Sequence, residues 1–224
     1  DWNNMVYYVV STLVKEVKVV LDRNQESAAL VPDDSDTLSQ GELIQSRIVD
    51  AAKLILTDAP SELVEGVVLT DGKVLWQSAH SAYVGKVQLP SDLIRILSVR
   101  VSDWIRPGKL ISEDDDEYKL QSCRFGLRGN VERPVAAIVH AGGGRYLELY
   151  TSNTNDATLD LSYVKQPEIF NGMIGLPQGL KDAIVYMTAY LVCVSLGDNS
   201  TAEGLLSVAR NLAGIVNVEP SQMQ

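Results

Sequence analysis

The segment ISEDDDEYKL (111–120) sets five carboxylates in a row: Glu113, Asp114, Asp115, Asp116 and Glu117. A hard cation needs oxygen ligands that converge, usually spaced acids around a glycine that makes a sharp turn. Contiguous side chains on an extended loop point apart, and the run lacks EF-hand spacing. It reads as a solvated or partner-facing loop, with adventitious cation binding as the alternative. His80 and His140 lie in or beside strand-like segments without an H-x-x-H, H-E-x-x-H or cysteine partner pattern. Cys123 and Cys193 are too few and too far apart to announce a zinc site or a disulfide framework. Gly142, Gly143 and Gly144 invite a phosphate-loop reading, but such loops open a helix, and here β-prone residues follow. The triple glycine therefore reads as a hairpin turn. No G-x-S-x-G elbow is visible. The sequence nominates no catalytic residue, no metal ligand and no cofactor.

The basic residues say more. CRFGLRGNVERP places Arg124, Arg128 and Arg133 around a Gly129-Asn130 turn shortly after the acidic run. A guanidinium fork suits carboxylates on a neighbouring chain. If identical subunits met head to tail, the loop carrying Asp114, Asp115 and Asp116 would face the arginines of the next copy; the alternative is a pair of unrelated solvated turns. Trp104, beside Arg106 and Pro107, is a candidate interface anchor, with plain core as the competing role. An enzymatic reading rests on Glu148 and Asp160, expected on neighbouring strands, where the two carboxylates could do acid–base work.

The whole composition bounds these options. With 224 residues, 46% of them hydrophobic and 21% charged, the chain has the make-up of a folded protein with a packed core. A formal net charge of -10 opposes adhesion to phosphate backbones and anionic lipid, so general nucleic-acid binding and membrane attachment are not expected. The opening DWNNMVYYVV lacks the basic start and small-residue cleavage site of a secretory leader. The longest apolar run, AIVYMTAYLVCVSL, is about 14 residues, short of the roughly 20 a bilayer requires, and reads as a buried helix.

Periodicity then supplies the elements that must hold these residues. Val6, Val9, Val10, Leu13, Val17, Val20 and Leu21 recur at steps of three and four, predicting a first helix. Pro32 and its acidic neighbours mark a long connection. Ser39 and Glu42 have capping-box spacing, opening a second helix with Ile44, Ile48, Ala51 and Ile55 on its stripe and Pro60 at its end. The period then changes. Asp71-Gly72 predicts a tight hairpin, Leu97, Val99 and Val101 alternate with polar residues, and Leu159, Leu161 and Tyr163 do the same. The acidic run falls between a strand ending near Trp104 and one beginning near Tyr118. Helical period returns after Pro177 with Leu180, Ile184, Met187, Leu191 and Val194. Gly197 stops that helix, and Ser200 with Glu203 makes a second capping box for a last helix through Leu205, Val208, Leu212 and Ile215.

This order predicts an α+β protein: a four-helix bundle formed by the N- and C-terminal helical pairs (1–62 and 170–216), an inserted antiparallel β subdomain (63–169) and a C-terminal tail (217–224).

The segments VQLPSDLIRILSVRVSDWIRP, QSCRFGLRGNVERPVAAIV, LELY and LPQGLKDAIVYMTAYLVCVSLGDNSTAEGLLSVARNLAGI together resemble the head-to-tail connector or adaptor proteins of short-tailed bacteriophages, most of all the ring proteins of crAss-like phages. That family has no catalytic signature to carry over. The resemblance implies a structural virion protein, assembled in the host cytoplasm, standing in a ring (commonly twelve-fold) below the portal and extending the DNA channel to the tail. Its implied partners are further copies of itself, the portal protein and a downstream tail or second ring protein, with DNA passing through the lumen without specific binding. The alternatives are a tail-associated cell-wall hydrolase or another tail ring, such as a fibre-attachment component.

Overall fold

A computed structural model describes residues 5–24, 39–69, 73–79, 82–123 and 127–215. In chain order they form β1 (Met5–Val9), α1 (Val10–Asn24), α2 (Gln40–Asp58), β2 (Val67–Val68), β3 (Leu75–Ser78), β4 (Tyr83–Gln88), β5 (Leu93–Val101) and β6 (Lys109–Ser112). Then follow α3 (Asp116–Leu120), β7 (Val135–Ala141), β8 (Gly144–Ser152), β9 (Leu159–Lys165), β10 (Ile169–Phe170), β11 (Met173–Pro177), α4 (Lys181–Leu196) and α5 (Asn199–Leu212). The chain divides into two compact units, one from the described residues of Asp1–Glu65 and Gln166–Gln224, the other from those of Gly66–Lys165.

In the first unit α2 follows local chemistry. The Ser39 hydroxyl accepts from the Glu42 N–H at 3.4 Å while the Glu42 carboxylate accepts from the Ser39 N–H at 2.9 Å, so each satisfies a donor that a helix start leaves over. Ile44, Ile48, Ala51 and Ile55 all face the core, and the helix stops before Pro60. The first helix is shorter than its apolar spacing predicts. Val6 and Val9 belong instead to β1, which pairs antiparallel with β11 from Met5↔Pro177 to Val9↔Met173. MVYYV is rich in β-branched and aromatic residues, and a partner strand far along the chain decides its state.

α4 is the hub of this unit. α1, α2 and α5 all pack on it, α1 also touches α2, and the Lys181 ammonium at its start pairs with Glu16 of α1 at 2.8 Å. Gln178–Leu196 is apolar and long enough to pass for a membrane span, but α4 meets neighbouring helices on most sides and buries Ala183, Ile184, Val185, Met187, Thr188, Ala189, Val192 and Cys193. Of its predicted stripe, Val194 is exposed. Gly197, at φ 81°, closes α4, and the cap of α5 is Asp198, whose carboxylate accepts from the Thr201 N–H at 3.2 Å. Ser200 only donates to that carboxylate, so the expected Ser200–Glu203 capping box does not form.

The predicted bundle architecture is therefore corrected. The chain is α+β, with five α-helices and eleven strands in three sheets among the described residues. The helical unit has its own three-stranded sheet, β1–β11–β10, and its helices radiate from α4 rather than meeting as two pairs that cover each other's stripes. The other unit is not wholly antiparallel, because β6 pairs parallel to β7.

That second unit packs the sheet β2–β9–β5 against the sheet β3–β4–β8–β7–β6. Val99, Val101, Leu161 and Tyr163 from one sheet meet Val87, Ala136, Leu147 and Leu149 from the other, with Trp104 beside them. On the outer face of the larger sheet a smaller cluster, Ile111, Val135, Ala137, Val139 and Tyr150, lies under Tyr118 of α3. β7 is thus buried on both faces, which explains its unbroken VAAIV. β7 and β8 form the hairpin expected at the triple glycine, turning on Gly142 (φ 57°) and Gly143 (φ 80°), angles that exclude most side chains. The hairpin expected at Asp71-Gly72 lies outside the described residues. The runs beside it do not pair with each other, since β2 pairs with β9 and β3 with β4.

Candidate contact surfaces

The acidic run is not a loop between two strands. It follows β6 and continues into α3, which contains Tyr118. Four of its five carboxylates have local partners. Glu113 accepts from the His140 N–H at 3.2 Å and meets the His140 ring at 2.8 Å, and these bonds, the backbone one first, hold its carboxyl below the usual range. Asp115 accepts from the Ser112 N–H at 2.6 Å, Asp116 pairs with Lys119 at 2.9 Å, and Glu117 pairs with Lys109. Asp114 is exposed and has no partner among the described residues. Among the described residues no group of three or more His, Cys, Asp or Glu could hold a metal ion.

Of the sequence-nominated arginines, Arg124 lies outside the described residues, as does His80. Arg128 is turned inward, its Nε donating to the Gln121 carbonyl at 2.6 Å. The Arg133 backbone N–H donates to Asn130 Oδ1 at 2.8 Å, in a turn that leaves its side chain exposed. Arg106 is exposed as well. Arg106 and Arg133 line one cleft of about 410 Å³ with Pro107, Lys109, Glu117 and Pro134. Lys109 is committed to Glu117; neither free guanidinium has a partner among the described residues. Sequence spacing could not reveal this convergence, because the parallel register Lys109↔Val135 creates it.

Trp104 is corrected from interface anchor to core. It is 1% exposed, and its Nε1–H donates to the Thr151 carbonyl at 2.9 Å.

The structure does not unite Glu148 with Asp160, since β8 and β9 belong to different sheets. Glu148 sits on the outer face of the larger sheet and accepts from the Tyr150 hydroxyl at 2.6 Å and the Tyr118 hydroxyl at 3.2 Å, with Lys86 at 3.6 Å. Lys86 also lies 4.8 Å from the centre of the Tyr146 ring. Burial, then the bond to Glu148, pushes the Tyr150 phenol far up; burial and the Glu148 charge raise Tyr118 as well. Sequence reading missed this group. Its geometry is that of a polar clamp fixing α3 to the sheet. Beside the β7–β8 hairpin a second, open cleft of about 1020 Å³ is lined by Lys73, His140 and Arg145 among others. Arg145 donates there to the Leu93 carbonyl at 2.7 Å, bracing the β4–β5 connection.

In the other unit the sheet β1–β11–β10 has one buried and one open face. Ile174 and Leu176 are fully buried. On the opposite face Val9, Met173 and Phe170 align across the three strands, and Met5 and Tyr7 lie over Gly175. Tyr7 is 70% exposed and Phe170 76%. No protein-family model matches the chain, and no curated protein matches it.

Proposed function

We propose that the chain is a structural, non-enzymatic virion protein, a head–tail connector or adaptor that stands as a ring below the portal, extends the DNA channel and docks the tail. The observation that carries the reading is the open face of the β1–β11–β10 sheet. Tyr7, Val9, Phe170 and Met173 are exposed side by side on a regular element, a contiguous apolar patch of the kind that assembly interfaces cover. At 70% and 76% exposure, the two aromatics alone put about 200–350 Å² of mostly apolar surface in water. The family resemblance of the quoted segments points the same way. A net charge of -10 suits a conduit whose walls must not grip DNA.

Electron microscopy of mixtures with portal, and mass spectrometry of purified particles, test the proposal. The expected result is a ring of this chain on portal and its presence in the virion. A chain that never enters the particle and forms no ring on portal defeats it.

A further inference from the structure

The element β6–α3–β7 has a charge direction built into it. Because β6 and β7 run parallel, both strands begin at one end, and there Arg106, Lys109 and Arg133 come together. Both strands finish at the other end, where Glu113 meets His140 and the acidic turn projects. The two ends are separated by the length of β6, four residues and about 10 Å. Local pairing cancels part of each end, since Lys109 takes Glu117 and Lys119 takes Asp116, while Glu113 is held by its hydrogen bonds to His140. What is left over is opposite in sign: the guanidinium groups of Arg106 and Arg133 in a cleft of about 410 Å³ at one end, and exposed Asp114, with the outward edges of Asp115 and Asp116, at the other.

We infer that the cleft of Arg106 and Arg133 receives the acidic turn Asp114–Asp116 of a second copy of this chain. A guanidinium takes a carboxylate by two parallel N–H···O bonds, and the cleft offers two such forks to a turn that carries three consecutive aspartates. Donor and acceptor surfaces lie at opposite ends of one rigid element. In the connector ring this contact runs head to tail, each copy lending its turn to one neighbour and taking the turn of another, which closes when the rotation allows. This deepens the connector reading, on which it rests for the existence of neighbouring copies, by naming the contact between them.

The test uses the full chain and two charge-reversed variants, Arg106→Glu with Arg133→Glu, and Asp114→Lys with Asp116→Lys. Sedimentation velocity at low ionic strength should show self-association of the natural chain that weakens as salt rises. Each variant alone should associate about tenfold or more weakly, with an unchanged circular-dichroism spectrum. An equimolar mixture of the two should recover association, because the reversed cleft of one now matches the reversed turn of the other. Natural-strength association by either variant alone overturns the inference, as does a mixture no better than its components or a natural chain that stays monomeric. Variants that still form rings on portal would sink this contact and leave the connector reading standing. Complementary association without any ring on portal or place in the virion would do the reverse.

Discussion

Replacing Trp104 by alanine separates a core role from an interface role. The indole is 1% exposed, its Nε1–H is bonded to the Thr151 carbonyl at 2.9 Å, and the backbone at Gly108 lies so close that a Cβ there would stand 2.5 Å from a ring carbon. Such a wall cannot collapse far into the space the ring leaves. The expected loss is that of a large aromatic truncated in a tight core, about 4 kcal/mol, including the stranded Thr151 carbonyl. With a urea slope of about 2 kcal/mol per molar, the unfolding midpoint of the 66–165 unit falls by about 2 M. Far-UV circular dichroism reads this without depending on indole fluorescence. Trp104→Phe keeps most of the ring but not the N–H donor, and should cost about 1–2 kcal/mol. If Trp104→Ala unfolds at the natural midpoint while self-association disappears, Trp104 is an interface residue and the core assignment is wrong.

Asp198→Ala should destabilise the first unit by about 1 kcal/mol, as loss of an N-cap does, while Ser200→Ala stays within about 0.5 kcal/mol; thermal melts of the pair decide which residue caps α5. The Cys193 thiol is fully buried and pushed up to about 11, by burial first and then by the nearby Asp198 charge, so a disulfide reagent at about pH 8 should spare it in the native chain and label it in urea. Glu42 and Glu113 both have folded carboxyls held below the ordinary value of 4.5, by bonds from Ser39 and from His140. Their contribution to stability is therefore full above about pH 4.5 and is lost as pH falls through the lower folded values. Glu42→Gln should flatten that part of the acid dependence of the urea midpoint, and an unchanged profile would remove the capping box from the account.

How far the sequence determined the fold by inspection can be seen element by element. α2 was legible because everything that defines it is local: Ser39 and Glu42 three residues apart, a stripe at helical spacing and Pro60 to stop it. β1 was not, because Val6, Val9 and Val10 fit a helical stripe equally well and the deciding partner, Met173–Pro177, is far along the chain. α5 shows a different failure. Large apolar residues suggest a seam through Leu205, Val208 and Leu212, yet Val208 and Leu212 are among the exposed residues and the helix buries Ala202, Leu205 and Ala209 instead. Small residues let two backbones approach closely, so the face that packs best on α4 is not the most hydrophobic one by residue type.

The contact residues divide along the same line. That 113–117 carries charge is evident from residue type, and the Asp116–Lys119 pair follows once a helix is granted there. Which charges the fold neutralises and which stay unpaired among the described residues depends on pairings that spacing does not encode. His140 reaches Glu113 only because β6 and β7 finish side by side, and Arg106 joins Arg133 only because they start side by side. An antiparallel β6–β7 pair built from the same residues would have set the acidic turn beside Arg133 of its own copy and left Arg106 at the other end beside His140. The parallel register brings Arg106 and Arg133 to one end, where α3 returns only Glu117, to Lys109, and it leaves Asp114 with the acidic turn at the other.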